Sequence, residues 1–404
     1  MKHKKTLSVL TACCFFIFVL NNCIDAKKQV SDYRGSGYAG SAKCENCHKE
    51  IYDTYLRTPH HLTSSPATQT TIKGSFKTDS NVVQYRSSLK VVMENTDSGF
   101  YQVAYLDNTP KQAARFDMVI GSGSKGQSYL SWLNDIVFQL PVSYLAPGAH
   151  WMNSPGYPPG YVLFNRNIPV GCFECHSSYI KKTDTRPSGD YLVDYFDRSQ
   201  IIYGIDCERC HGPLAAHVKY QEENHGVASS QFVTNIESLS RQEKTDMCAV
   251  CHSGAGETTA SSFYYKPGAK LSEYIHLDKT PLRTEDIDVH GKQYQLLMAS
   301  KCFIKSKTLT CLSCHNPHGD AKDKIQEFSK TCMTCHENPI HTSINVITDA
   351  NNLTLNCIDC HMPAKPSQVI TMKSADKDDS ISAYVRTHYI AIYKKQTGNI
   401  SRNK

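Results

Sequence analysis

Three things are scarce in this sequence, and each scarcity excludes something. After residue 20 no apolar stretch is long enough to span a bilayer, so no membrane-crossing helix is expected in the body of the chain. The charges nearly balance, 44 Lys and Arg against 38 Asp and Glu for a formal +6, and no basic stripe alternates with stacking aromatics, which argues against nucleic acid as a partner. Cysteine available for disulfides is scarce as well: of 18 cysteines only Cys13, Cys14, Cys23 and Cys302 fall outside one repeated spelling.

That spelling is Cys-x-x-Cys-His, and it occurs seven times. The copies are Cys44, Cys47 and His48; Cys172, Cys175 and His176; Cys207, Cys210 and His211; Cys248, Cys251 and His252; Cys311, Cys314 and His315; Cys332, Cys335 and His336; and Cys357, Cys360 and His361. Two thiols at this spacing can each close a thioether onto one of the two vinyl groups of a porphyrin. The histidine that follows is then held beneath the iron as its proximal ligand. Zinc would need ligand pairs matched to each other at fixed spacing, and nothing in zinc chemistry requires a histidine directly after every second cysteine. Seven covalent haems c are therefore expected. Their propionates add about 14 negative charges and turn the sum to about −8, so the basic residues read as internal counterions.

Lys2, Lys4 and Lys5 precede an apolar run at residues 7–20, the pattern of an export signal. Leu20-Asn21-Asn22-Cys23 resembles a lipoprotein cleavage site although Asn22 stands where a small residue is usual. The expected organisation is a signal peptide at 1–22, a tether at 23–40 anchored to the membrane by lipid on Cys23, a first haem segment at 41–65, a β-rich insertion at 66–170, a six-haem domain at 171–393 and a tail at 394–404. The protein is thus expected outside the cytoplasm, in the periplasm, as a membrane-attached lipoprotein.

The insertion is read from short β-branched and aromatic runs at 82–85, 89–93 and 101–106, and from a hairpin whose arms at 129–133 and 136–140 flank Asn134-Asp135. Gly121, Gly123 and Gly126 spell Gly-x-Gly-x-x-Gly, but a strand-like segment follows in place of a helix, and a glycine turn is the reading.

Ten histidines outside the motifs and the signal could fill the far side of the irons, and His60, His217, His290, His318, His341 and His388 are the candidate distal ligands; a hydrogen-bonded surface histidine is the alternative at each. His318 lies three residues after His315 and cannot reach round that porphyrin, so it is free to ligate a neighbouring haem. His217, six residues after His211, has the same geometry.

Gly40-Ser41-Ala42-Lys43-Cys44 with His60 downstream, Cys207 to His217, Cys311 to His318, and Cys357-Ile358-Asp359-Cys360-His361-Met362-Pro363 together resemble the cytochrome c-552/c-554 family, which includes relatives of hydroxylamine oxidoreductase. Gly121 to Leu130, residues 139–144 and Ser154-Pro155-Gly156-Tyr157 resemble the β segment of such proteins. The resemblance implies a mainly α and irregular multihaem cytochrome c fold with a haem-filled core and a small β-rich insertion. It also implies a respiratory role, either as an electron carrier between redox partner proteins or as a reductase of a small nitrogen or sulfur compound with one open five-coordinate haem. No Cys-x-x-Cys-Lys motif is present and histidines suffice for every distal position, so mostly bis-His haems and electron transfer are the expectation, with no catalytic residue assigned.

Overall fold

The structure, a computed structural model, describes residues 32–146, 148–227, 230–254, 256–277, 287–319, 324–337, 339, 356–375 and 380–393. The amino-terminal apolar run, Cys13, Cys14, Cys23, His341 and the tail after Tyr393 lie outside the described residues.

Strand β1 (Ser64–Pro66) is followed by a meander of β2 (Val82–Arg86), β3 (Leu89–Thr96), β4 (Gly99–Leu106) and β5 (Thr109–Arg115). Then come β6 (Met118–Ile120), β7 (Gly126–Leu133), β8 (Ile136–Gln139), β9 (Val142–Leu145), β10 (His150–Asn153) and β11 (Arg166–Asn167), which with β1 form a seven-stranded antiparallel sheet. In β2 the side chains of Val83 and Tyr85 are buried while Val82, Gln84 and Arg86 are exposed, the period-two pattern of a strand with one face on a core. Asp107 and Asn108 both have positive φ, 49° and 59°, and join Leu106 to Thr109 in a two-residue turn whose twist matches the flanking strands. Asn134, at φ 52°, begins the turn between Leu133 and Ile136. Gly121 and Gly123 take φ of 104° and 87° and lead directly into β7, so they form a turn between strands.

Strand β7 shows why this sheet is the central layer. Tyr129 and Leu130 are adjacent and point to opposite faces, and both are buried. Tyr129 joins Phe116, Trp151, Tyr85 and Met93 in the core shared with the meander, where Phe116 and Tyr129 meet edge to face at 4.8 Å. Leu130 joins Met118, Val137, Phe173, Ile180 and Phe196 in a second core on the other side.

The second core is made with elements from the stretch expected to be helical and irregular. The long hairpin of β12 (Ser177–Ser188) and β13 (Tyr191–Tyr203) turns at Gly189-Asp190 and buries Tyr179, Ile180, Val193 and Phe196. A short pair, β14 (Glu257–Thr258) with β15 (Ile275–His276), and a carboxy-terminal hairpin, β16 (Ala364–Lys373) with β17 (Ser380–Arg386), follow. Of the described residues 27% are helical and 32% are in strands, in five sheets. The expectation of a mainly α and irregular fold is corrected accordingly. The physical reason is that motif helices of one to three turns bury little by themselves, and extended hairpins supply the apolar faces between them.

The helices are α1 (Lys49–Tyr55), α2 (Val170–His176), α3 (Cys207–His211), α4 (Ala215–Glu223), α5 (Arg241–His252), α6 (Gln293–Met298), α7 (Lys301–Lys305), α8 (Ile325–Met333) and α9 (Cys357–His361). Among the described residues no helix is long and apolar enough to cross a membrane.

Candidate haem-binding site

Each motif is a single tight turn. His48, His315 and His336 donate their backbone N–H to the carbonyls of Cys44, Cys311 and Cys332 at 2.8, 3.0 and 3.0 Å, which places the first cysteine and the histidine of a motif on one face. The turns are held by local caps. Asp206 accepts from the Arg209 N–H at the start of α3, Asn356 accepts from Asp359 at α9, and Ser240 with Glu243 forms a reciprocal capping box on α5. Gly212 at φ 76°, followed by Pro213, stops α3 directly after its histidine. Among the described residues no motif cysteine is engaged in a disulfide.

Five motifs open onto one continuous cavity of about 2910 Å³, lined by their cysteines and by His48, His176, His211, His252 and His315. Single-ligand pockets run to about 1,000 Å³, so this space suits several large flat groups rather than one. Among the described residues the sixth and seventh motifs contribute only Cys332 and Ile358 to its wall. Tyr52 and Tyr55 also line it; Tyr55 is fixed by donating to the Ile205 carbonyl at 2.8 Å.

Across this cavity histidines face each other in pairs. The ring centroids of His211 and His318 are 5.9 Å apart with planes at 9°, those of His315 and His388 are 5.9 Å apart at 30°, and those of His60 and His252 are 6.1 Å apart at 78°. Two imidazoles each about 2 Å from a metal shared between them have centroids about 6 Å apart, so the separations fit an iron between each pair. His318 thus faces His211 and not its neighbour His315, His60 faces His252 and not His48, and His388 faces His315. His290 lowers the pKa of His176 by its proximity, second to burial itself. His217 lines the cavity with Nδ1 bonded to the Gln231 carbonyl at 2.8 Å, and no ring pair joins it to His211 or His48 among the contacts found for the described residues.

Burial, and then the neighbouring histidines, push His60, His176 and His388 down to about 4. They are neutral imidazoles at physiological pH, which is the metal-binding form. Nδ1 of His176 is hydrogen-bonded to Thr63 Oγ1 at 3.0 Å and Nδ1 of His361 to the Ala391 carbonyl at 2.9 Å, contacts that direct Nε2 the other way, as second-sphere partners of metal-bound histidines do. His150 and His276 are exposed on strands and stand off the cavity.

The sulfurs of different motifs lie close together, Cys44 to Cys207, Cys175 to Cys251, Cys248 to Cys311 and Cys332 to Cys357, with Cys210 near Cys248 and Cys251 and Cys314 near Cys332. The supporting elements pack in the same pairs: α3 on the turn Ser41–Asn46, α2 on α5, α5 on the turn Cys311–Ser313, and α8 on α9.

Two buried arginines had no signal in the sequence. Arg34 donates to Asp32 at 2.9 Å and to Asp206 at 2.6 and 3.0 Å, and lies 3.3 Å from Glu208, whose carboxylate also accepts the N–H groups of Ala39, Gly40 and Leu214. Arg209, inside the third motif, reaches the carbonyls of Ser262 and Glu174 and the Cys251 sulfur. Apart from Asp32, their partners are distant in sequence, so local pattern cannot reveal them.

The comparisons with known proteins agree with the motifs. The family model described as the doubled CXXCH motif matches residues 304–343, across the fifth and sixth copies. The multihaem cytochrome MtrA of Shewanella baltica is 25% identical over 178 residues, 41% of this chain and 51% of that protein, so the chain spans about half the length of the curated relative it matches. The crystal structure of the outer cell wall cytochrome OcwA is similar in fold, with a TM-score of 0.52 at 17% identity over 88% of this chain and 79% of that one. The chain is a multihaem c-type cytochrome, with haem c attached covalently through its Cys-x-x-Cys-His motifs.

Proposed function

We propose that the chain is an extracytoplasmic heptahaem cytochrome that carries electrons along closely spaced, mostly bis-His haems between redox partner proteins of a respiratory chain. Within the multihaem cytochromes its motifs resemble those of the c-552/c-554 family. The observation that carries the reading is the set of three histidine pairs at 5.9 to 6.1 Å across one cavity, each joining a motif histidine to one from elsewhere in the chain. Haem supplies reversible one-electron chemistry when bound. The chain's residues do the rest. With haem bound, His60, His318 and His388 would hold the irons opposite the motif histidines they face, leaving no place there for a substrate. The close packing of the motif turns would hold neighbouring haems near one another. Cys23 is proposed to carry the lipid that holds the protein at the membrane.

The test is ligand binding to the reduced holoprotein. Addition of carbon monoxide, nitrite or hydroxylamine should leave its absorption spectrum unchanged. A high-spin component that shifts with these ligands would show an open iron and favour a reductase.

A further inference from the structure

We propose that the haem held by Cys248, Cys251 and His252 is the branch point of the electron path, and that the buried charge of Arg209 holds it at a higher reduction potential than its neighbours. This rests on the electron-carrier reading and goes beyond it by naming a route and the residue that biases it.

The route follows from which motifs touch. Helix α5, which ends in the fourth motif, meets three others: it packs on α2 of the second motif and on the turn Cys311–Ser313 of the fifth, and Arg209 of the third reaches to 3.9 Å from the Cys251 sulfur. The third continues to the first, where the Cys207 N–H donates to Ser41 Oγ at 3.2 Å; the fifth continues to the sixth, where the His315 ring lies 5.5 Å from Phe328 of α8; and the sixth continues to the seventh, where the Cys357 N–H donates to Ser329 Oγ of α8 at 3.0 Å. The resulting path runs from the first motif through the third, fourth, fifth and sixth to the seventh, with the second as a side arm at the fourth.

Arg209 sits at that junction. It is 5% exposed, and its Nη2 lies 3.9 Å from the Cys251 sulfur. Its hydrogen-bond partners are neutral, the Ser262 carbonyl, the Glu174 carbonyl at 2.6 Å and the Ser262 hydroxyl at 3.4 Å, and Nε is buried without a partner. The nearby acids make their hydrogen bonds to other groups. Asp206 pairs with Arg34, and the Glu174 carboxyl accepts from the Ser261 hydroxyl at 2.7 Å. A guanidinium remains charged in proteins. Reduction of ferric to ferrous haem lowers the charge at the iron by one, so a fixed positive charge beside that haem stabilises the reduced form. Electrons from the three arms then collect there.

The ring angles distinguish this haem from the two others whose histidine pairs are seen. Nearly perpendicular imidazole planes, as in the 78° pair of His60 and His252, give a highly anisotropic low-spin ferric resonance, whereas planes at 9° or 30° give ordinary rhombic ones. The experiment is a reductive titration of holoprotein followed by electron paramagnetic resonance, for the parent, Arg209→Gln and Arg209→Lys. In the parent the anisotropic resonance should disappear before the rhombic ones. Arg209→Gln should lower the reduced-to-oxidised ratio of that component at a fixed potential by about tenfold or more, a shift of about 59 mV for one electron, with haem content and spin state unchanged. Arg209→Lys, which keeps a charge, should move it less than about threefold. The proposal is overturned if the anisotropic component is reduced last in the parent, if it titrates unchanged in Arg209→Gln, or if both variants shift alike. Should Arg209→Gln fail to retain its haems, the order of reduction in the parent decides. Missing or high-spin haems in the parent would instead count against the electron-carrier reading.

Discussion

His318 follows His315 by three residues, yet its ring lies parallel to that of His211 at 5.9 Å. His318→Ala should therefore remove the distal ligand of the haem bound at Cys207 and Cys210 while the thioethers at Cys311 and Cys314 stay intact. The expected result is full haem content, one new high-spin iron and a gain of carbon monoxide binding, read by absorption and resonance spectra; a wholly low-spin spectrum with unchanged potentials would contradict the pairing. Spacing alone established that His318 cannot serve its own haem, because three residues do not reach round a porphyrin. It could not name His211 as the partner, since that choice is made by the packing of segments about a hundred residues apart. The same holds for His60, legible as a candidate from its place twelve residues after His48 but set opposite His252 only by the fold.

At the scale of elements, Arg34 fastens the segment before the first motif onto α3, with its side chain fully buried against Asp206 and Glu208. Arg34→Met leaves buried carboxylates without their counter-charge and should cost about 3–5 kcal/mol, measured by denaturant unfolding followed by circular dichroism. A loss below about 1 kcal/mol would show that the cluster relaxes into solvent. The meander was legible because β2 and β3 each set one apolar face on a single core, so alternation survives in the sequence. The hairpin of β12 and β13 was not. Beyond Tyr179 and Ile180 strand β12 is mostly exposed and polar, and the density of haem motifs argued for loops, although Gly189-Asp190 between Ser188 and Tyr191 is a two-residue turn signal that could have found it.

For the whole molecule, the attachment chemistry could be read from seven repeats of five residues, since thioether and ligand geometry are local, whereas the balance of strand over helix depended on tertiary burial. The lipid anchor is a separate claim about the intact chain. Cys23→Ala should release the protein into the soluble extracytoplasmic fraction, and retention in the membrane fraction would place the anchor elsewhere. The account as a whole stands on the number of haems. Protein made in a host with haem-attachment machinery should give seven haems per chain by pyridine haemochrome assay combined with intact mass; five or fewer would contradict it.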